Sequence, residues 1–282
     1  MVKLEEVTTK PTFSNQLENK ILYSNHDQDI SISYESTYTL KYVLEGSKQY
    51  DINKQTVEVL PGQYVLLNQD TITTRANKGT RGISIFLAPK LIYEIYDYHI
   101  IDRSGFKFFE IPQKKSISKI GAVLGVITQC IEQNPIAIDS QMDTLFLQLS
   151  EMIVEDQLAI QNGFSTLQII KHATKKELFQ RITDVKEYLN DNIANHISLE
   201  TICQHVGISK YYLHRLFKEI CGLTPLSYLT TIRLEKAKKR LQQSNSTIFE
   251  IAIDCGFENT PYFSNTFKRH VGVTPTQYRN GL

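Results

Sequence analysis

Two stretches of this 282-residue chain are near copies of each other: GISKYYLHRLFKEICGLTP at 207–225 and GFENTPYFSNTFKRHVGVTP at 256–275. Each opens on a glycine, carries an aromatic pair, runs through Phe-Lys (Phe217-Lys218, Phe267-Lys268) and closes on Gly-x-Thr-Pro. Internal self-similarity constrains a fold before any single residue does, because each copy must build the same supersecondary unit.

The segment SLETICQHVG (198–207) predicts a helix capped by Ser198, with Leu199, Ile202, Cys203 and Val206 as its buried stripe. Gly207 then allows a left-handed turn, and Ser209 caps the next helix. Two helices crossing steeply over a tight turn need a small residue four positions before the glycine. Cys203 stands there in the first copy and Ala252, before Gly256, in the second. In tandem, each followed by an aromatic-rich amphipathic helix, this pattern predicts two helix-turn-helix motifs.

In the first candidate recognition helix, Leu213, Leu216, Phe217 and Ile220 form the inward stripe. Ser209, Lys210, Tyr211, His214, Arg215 and Lys218 are left to meet DNA. In the second, Phe263, Phe267 and Val271 face inward, leaving Thr260, Pro261, Tyr262, Ser264, Asn265, Lys268 and Arg269. The N-terminal half of such a helix reaches base edges in the major groove. There Arg215 can pair bidentately with guanine, Asn265 suits adenine, and His214 and Tyr211 supply hydrogen bonds or methyl contacts.

Between the copies, TPLSYLTTIRLEKAKKRLQQS keeps a helical period. About 18 residues make a rod of roughly 27 Å, suited to holding two recognition helices about 34 Å apart, one turn of DNA. Its cluster Arg233, Lys236, Lys238, Lys239 and Arg240 reads either as phosphate contacts or as a solvated face. The partner implied is double-stranded DNA, read in two successive major grooves. Charge agrees: residues 181–282 hold 13 Lys and Arg against 9 Asp and Glu, while residues 1–180 hold 18 against 21.

The N-terminal part has a different period. YTLKYVLEG alternates Tyr38, Leu40, Tyr42 and Leu44 with Thr39, Lys41 and Glu45, and QTVEVLPGQYVLLNQD and GISIFLAP add short strands broken by Pro61-Gly62 and stopped by Pro89. Short strands between turns predict a small barrel or sandwich. From Ser116 the spacing becomes helical through Ile117, Ile120, Leu124, Ile127 and Ile131, and Pro135 breaks it. A second helix from about Asp139 sets Met142, Leu145, Leu149 and Met152 in a heptad-like seam, widened by Phe146 and Ile153. That seam either packs on the barrel or forms the interface of a homodimer. The segment QNGFSTLQIIKHAT (161–174) loses its periodicity and reads as linker. The expected fold is α+β: a β-barrel at 1–115, dimerisation helices at 116–160, a linker at 161–180, and an all-α tandem helix-turn-helix domain at 181–282.

Cys130, Cys203, Cys221 and Cys255 are scattered without metal-ligand spacing, which predicts reduced core thiols. MVKLEEVTTK lacks the apolar run of a signal peptide, and no stretch approaches the roughly 18 apolar residues of a membrane span. A cytoplasmic protein without membrane partner or cofactor is expected.

Residues 181–282 resemble the DNA-binding domain of the AraC/XylS family of bacterial transcription regulators. The tail FSNTFKRHVGVTPTQYR (263–279) is close to the family signature, and Ala252, Gly256, Phe257, Tyr262, Phe263, Phe267, Lys268, Gly272, Pro275, Tyr278 and Arg279 fall where its pattern puts them. Asn265 stands where a basic residue is frequent, and Pro261 where a small polar one is. The resemblance implies a transcription regulator, an activator, acting on RNA polymerase near a promoter. More loosely, residues 38–68 are similar to the family's cupin-like effector domain. Tyr42, Tyr64, Arg75 and Phe86, polar or aromatic residues on the predicted strands or next to one, are candidate effector contacts. Metal-dependent cupins carry paired His and a Glu, whereas the histidines here are His26 and His99. The effector is then a small molecule or a protein. An enzyme on the barrel is the remaining class, but residues 1–180 show no paired carboxylates, nucleophile–base set or phosphate loop.

Overall fold

The computed structural model describes residues 2–8, 18–52, 55–99, 107–133, 139–169 and 171–281. It contains two compact units, Met1–Asn162 with Lys171–Gln180, and Gly163–Ile170 with Arg181–Leu282.

The first unit holds ten strands among the described residues: β1 (Lys3–Val7), β2 (Lys20–Asn25), β3 (Ile30–Ser36), β4 (Tyr38–Glu45), β5 (Lys48–Ile52), β6 (Gln55–Val59), β7 (Gln63–Leu67), β8 (Asp70–Ala76), β9 (Arg81–Leu87) and β10 (Gln113–Lys114). They form two sheets, ordered β1-β2-β9-β4-β7-β10 and β3-β8-β5-β6. Among the described residues no strand of one sheet pairs with a strand of the other, so the expected closed barrel is an open sandwich. The reason lies in the turns. From β2 to β9 only β5 and β6 pair as consecutive strands; every other connection in that stretch carries the chain from one sheet to the other. Pro61-Gly62, read as a strand break, is one such crossing, between β6 and β7.

Strand β4 shows why the polar half of its alternation misleads. It is buried at six successive positions, because both faces of the six-stranded sheet are covered. Tyr38, Leu40 and Tyr42 join the core shared with the helices, while Val43 packs with Tyr50, Ile52 and Val59 of the other sheet. Lys41, on the opposite face of the alternation, lies between the sheets at 2% exposure.

Helices cover the outer face. Pro89 ends β9 as expected but also opens α1 (Pro89–His99), where its missing N–H costs nothing. Ile120, Leu124, Ile127 and Ile131 of α2 (Lys119–Gln133) face the same core; Ile117 lies in a preceding 3-10 turn. In α3 (Asp139–Thr166), Met142, Phe146, Leu149 and Ile153 are buried in that core, with Leu145 and Met152 partly buried against it. Of the four seam residues proposed for dimerisation, Met142 and Leu149 are therefore occupied within one chain, while Leu145 and Met152 stay partly open. The period alone could not show this, because a sheet and a second helix accept the same apolar stripe.

The linker expected over 161–180 is also corrected. Helix α3 continues to Thr166 and α4 (His172–Asp191) starts five residues after Leu167. Within the first unit, His172 stacks on Phe109 at 5.8 Å and Phe179 tilts against it at 5.3 Å. The second unit adds α5 (Leu199–Val206), α6 (Lys210–Cys221), α7 (Pro225–Gln243), α8 (Ile248–Asp254), α9 (Thr260–Val271) and α10 (Pro275–Arg279).

Candidate nucleic-acid interface

The repeat is legible at the level of single hydrogen bonds. Helices α5 and α8 each begin with a reciprocal capping box, Ser198 with Thr201 and Thr247 with Glu250. Each ends in the same way: Ile208 N donates to Cys203 O at 3.3 Å, and Phe257 N donates to Ala252 O at 3.0 Å. These bonds close over Gly207 (φ 66°) and Gly256 (φ 82°), both in the left-handed region. The small residue four before the glycine is thus the one whose carbonyl receives the bond.

The recurring Gly-x-Thr-Pro is a stop followed at once by a start. Gly222 and Gly272 end α6 and α9, their N–H groups bonding to Lys218 O and Lys268 O. Thr224 and Thr274 then cap α7 and α10 by accepting from Ser227 N and Gln277 N, with Pro225 and Pro275 in the first turn.

The copies differ in their turns. Gly207 is separated from α6 by Ile208 and Ser209, whereas Gly256 is separated from α9 by Phe257, Glu258 and Asn259. Ser209 occupies the cap position of α6, but its hydroxyl makes no capping bond, contrary to expectation. Asn259 caps α9 instead, Oδ1 accepting from Tyr262 N at 2.8 Å. Pro261 falls in the first turn of α9, so its departure from the family pattern leaves the helix intact.

Both outward faces form. Leu213, Leu216, Phe217 and Ile220 are buried, as are Phe263, Thr266 and Phe267. Ser209, Lys210, Tyr211, His214, Arg215 and Lys218 are exposed together on α6, with Tyr211 the most open at 78%. On α9, Pro261, Tyr262, Asn265, Lys268 and Arg269 are exposed, while Thr260 and Ser264 are half-buried. Lys210 is ion-paired with Glu200 of α5, and its ammonium holds that carboxyl below its ordinary pKa. Arg215, His214 and Lys218 carry no such pair among the described residues.

The basic cluster on α7 has a role that the sequence did not suggest. Arg233 Nε donates to Ile193 O at 2.8 Å and its Nη2 to Asn195 O at 2.6 Å, clipping the α4–α5 loop to α7. Lys236 Nζ donates to Asp254 O at 3.0 Å, Arg240 pairs with the Asp254 carboxylate, and Lys238 pairs with Glu235 at 2.7 Å. Four of the five cations thus bind the domain to itself. Arg279 acts similarly, its Nη2 donating to Ser246 O at 2.6 Å.

A family described as "Helix-turn-helix domain" matches residues 202–281, which span both motifs. The HTH-type transcriptional activator AarP of Providencia stuartii is 32% identical over 112 residues, covering 39% of this chain and 83% of that protein. The chain belongs to the AraC/XylS family of transcription regulators. Other AraC/XylS relatives share a smaller part of their length. AdaA of Bacillus subtilis (strain 168), named a bifunctional transcriptional activator/DNA repair enzyme, is 39% identical over 95 residues, 34% of this chain and 45% of that protein. RhaS of Escherichia fergusonii, an HTH-type transcriptional activator, is 37% identical over 101 residues, 36% of each. The chain therefore spans less than half of either.

The candidate effector residues do not converge on one cavity. Tyr42 and Tyr64 are buried in the helix-facing core, where Tyr64 Oη donates to Ser118 Oγ at 2.9 Å. Arg75 is half exposed and paired with Asp51. Phe86 alone of the four lines the cavity between the sheets. Their strand positions gave no sign of which sheet face would enclose space. All four cysteines are free, with Cys255 buried. No helix among the described residues is long and apolar enough to cross a membrane.

Proposed function

We propose that this protein is a sequence-specific DNA-binding transcription regulator, an activator, that reads two successive major grooves with α6 and α9 while its N-terminal unit modulates the outcome. The observation that carries this reading is the double frame: matched caps and left-handed stops present two polar, partly cationic helix faces. Arg215 on α6 and Asn265 on α9 stand at equivalent places, which suits the two helices to different bases. The names of AarP and RhaS support activation. On this reading the protein works in the cytoplasm, on RNA polymerase at a promoter, and as a homodimer to which α3 offers the partly open Leu145 and Met152.

Selection of genomic fragments by the full-length chain, followed by salt titration on the best fragment, tests the reading. A recovered site of about 20 base pairs, with affinity falling steeply as salt rises, supports it. No enriched fragment, with or without residues 1–180 attached, overturns it. Light scattering of the free chain decides the homodimer.

A further inference from the structure

The space between the two sheets holds two lysines and no acid to answer them. Lys41 enters from β4 of the six-stranded sheet and Lys48 from β5 of the four-stranded sheet, and both line a cavity of about 30 Å³. They are 2% and 4% exposed. Lys48 Nζ donates to Ser24 Oγ at 2.6 Å, and that hydroxyl donates onward to Gly82 O at 3.0 Å. Lys41 has no hydrogen bond or ion pair among the described residues. Its Nζ lies 4.3 Å from the centre of the Phe86 ring and 5.4 Å from that of Tyr34. His26, 3% exposed, lines the same cavity with neither ring nitrogen bonded. No Asp or Glu is among the lining residues.

Burial of ammonium groups without counter-charge is unfavourable, and two of like sign compound it. Desolvation lowers Lys41 to about 7 and Lys48 to about 7, the latter helped by the Lys41 charge. Desolvation and then Lys48 lower His26 to about 4, against a small opposing effect of Asp27. Tyr34 and Tyr50, also facing the cavity, are raised by burial, Tyr34 to about 12, and stay neutral. The two ammonium groups, costly to bury together, attract a negative guest between them.

We propose that this cavity binds a small oxyanion, held between Lys41 of one sheet and Lys48 of the other. The volume admits about two water-sized atoms, which matches the two oxygens of a carboxylate; a phosphate, with three or four, would have to widen it. Apolar walls from Leu22, Ile30 and Ile32 strengthen the attraction by excluding water. The protein would then sense an acid metabolite or phosphate. Binding itself stands apart from the DNA reading and is tested without DNA.

The experiment is thermal unfolding and calorimetry of the full-length chain with sodium acetate or sodium phosphate, against sodium chloride at equal ionic strength and against neutral acetamide. Saturable stabilisation by acetate or by phosphate is expected, and which one acts tells an organic acid from phosphate. Affinity should fall at least tenfold from pH 6.5 to 9, as both lysines lose their protons. Lys41→Met and Lys48→Met should each abolish the response while melting no lower than the parent. The proposal is overturned if neither oxyanion exceeds chloride, if acetamide matches acetate, or if Lys41→Met keeps the full response. Should the variants not fold, the pH dependence of the parent decides alone.

Discussion

The guanidinium of Arg233 lies where a side chain on Gly256 would have to go. A Cβ built on Gly256 would approach Arg233 Nε and Nη2 to 2.8 Å each and Ile193 O to 2.5 Å. The turn of the second helix-turn-helix motif is thereby packed against the loop that opens the first, with Arg233 bonded across the junction. Arg233, on α7 itself, thus ties the two motifs together at this point.

Gly256→Ala should therefore be far worse than Gly272→Ala. Both glycines have positive φ, 82° and 91°, but a Cβ on Gly272 meets nothing within 4 Å. The left-handed conformation alone costs roughly 1–2 kcal/mol, and the clash should at least double that at Gly256. Thermal unfolding of the two variants, followed by circular dichroism, checks the ordering; equal losses would deny the close approach any role.

Arg233→Ala should destabilise the domain rather than loosen phosphate contact. It removes two charge-assisted bonds, to Ile193 O and Asn195 O, each worth about 1.5–3 kcal/mol. A melting point several degrees lower, with an unchanged slope of log affinity against log salt, is expected. A slope reduced by about one, with stability intact, would return Arg233 to the phosphates.

Arg215→Ala and Lys218→Ala should separate base reading from backbone contact. Removing Arg215 should cost about 1–3 kcal/mol of binding and relax preference at one base position. Lys218→Ala should weaken all sequences alike. Competition binding over a randomised site resolves both, and unchanged preference in Arg215→Ala would reject the assigned contact.

The stability gap between Lys41→Met and the parent should depend on pH. Because Lys41 sits near 7 when folded and 10.5 when unfolded, the parent carries its full charge penalty below about pH 7. From there to about pH 10.5 the unfolded chain holds the extra proton, so parent stability rises, by at most about 1.4 kcal/mol per pH unit from this group. The variant should lead at pH 6 and lose its lead by pH 10. His26, lowered to about 4, adds a rise of the same sign between about pH 4 and 6.5. Urea titrations across this range measure the gap, and a constant gap would contradict it.

The sequence by itself determined most of what local backbone chemistry controls, the cap expected of Ser209 being the exception. Small-x-x-x-Gly, Ser198 and Gly-x-Thr-Pro specify helix starts and stops through bonds spanning a few residues, so both motifs and their inward stripes were legible. The outward faces followed, because an amphipathic helix with a known buried side has only one other side. Tertiary structure decided what depends on distant neighbours. A period-two strand shows that two faces differ, not that both are covered, so the alternation sets Lys41 opposite Leu40 and Tyr42 but says nothing of its burial. An apolar stripe on α3 shows that something covers it, and only packing revealed that the sheet and α2 do. The same holds for Arg233: a cation on a helix reads as bound for solvent or phosphate until the carbonyls of Ile193 and Asn195, some forty residues away along the chain, are brought beside it.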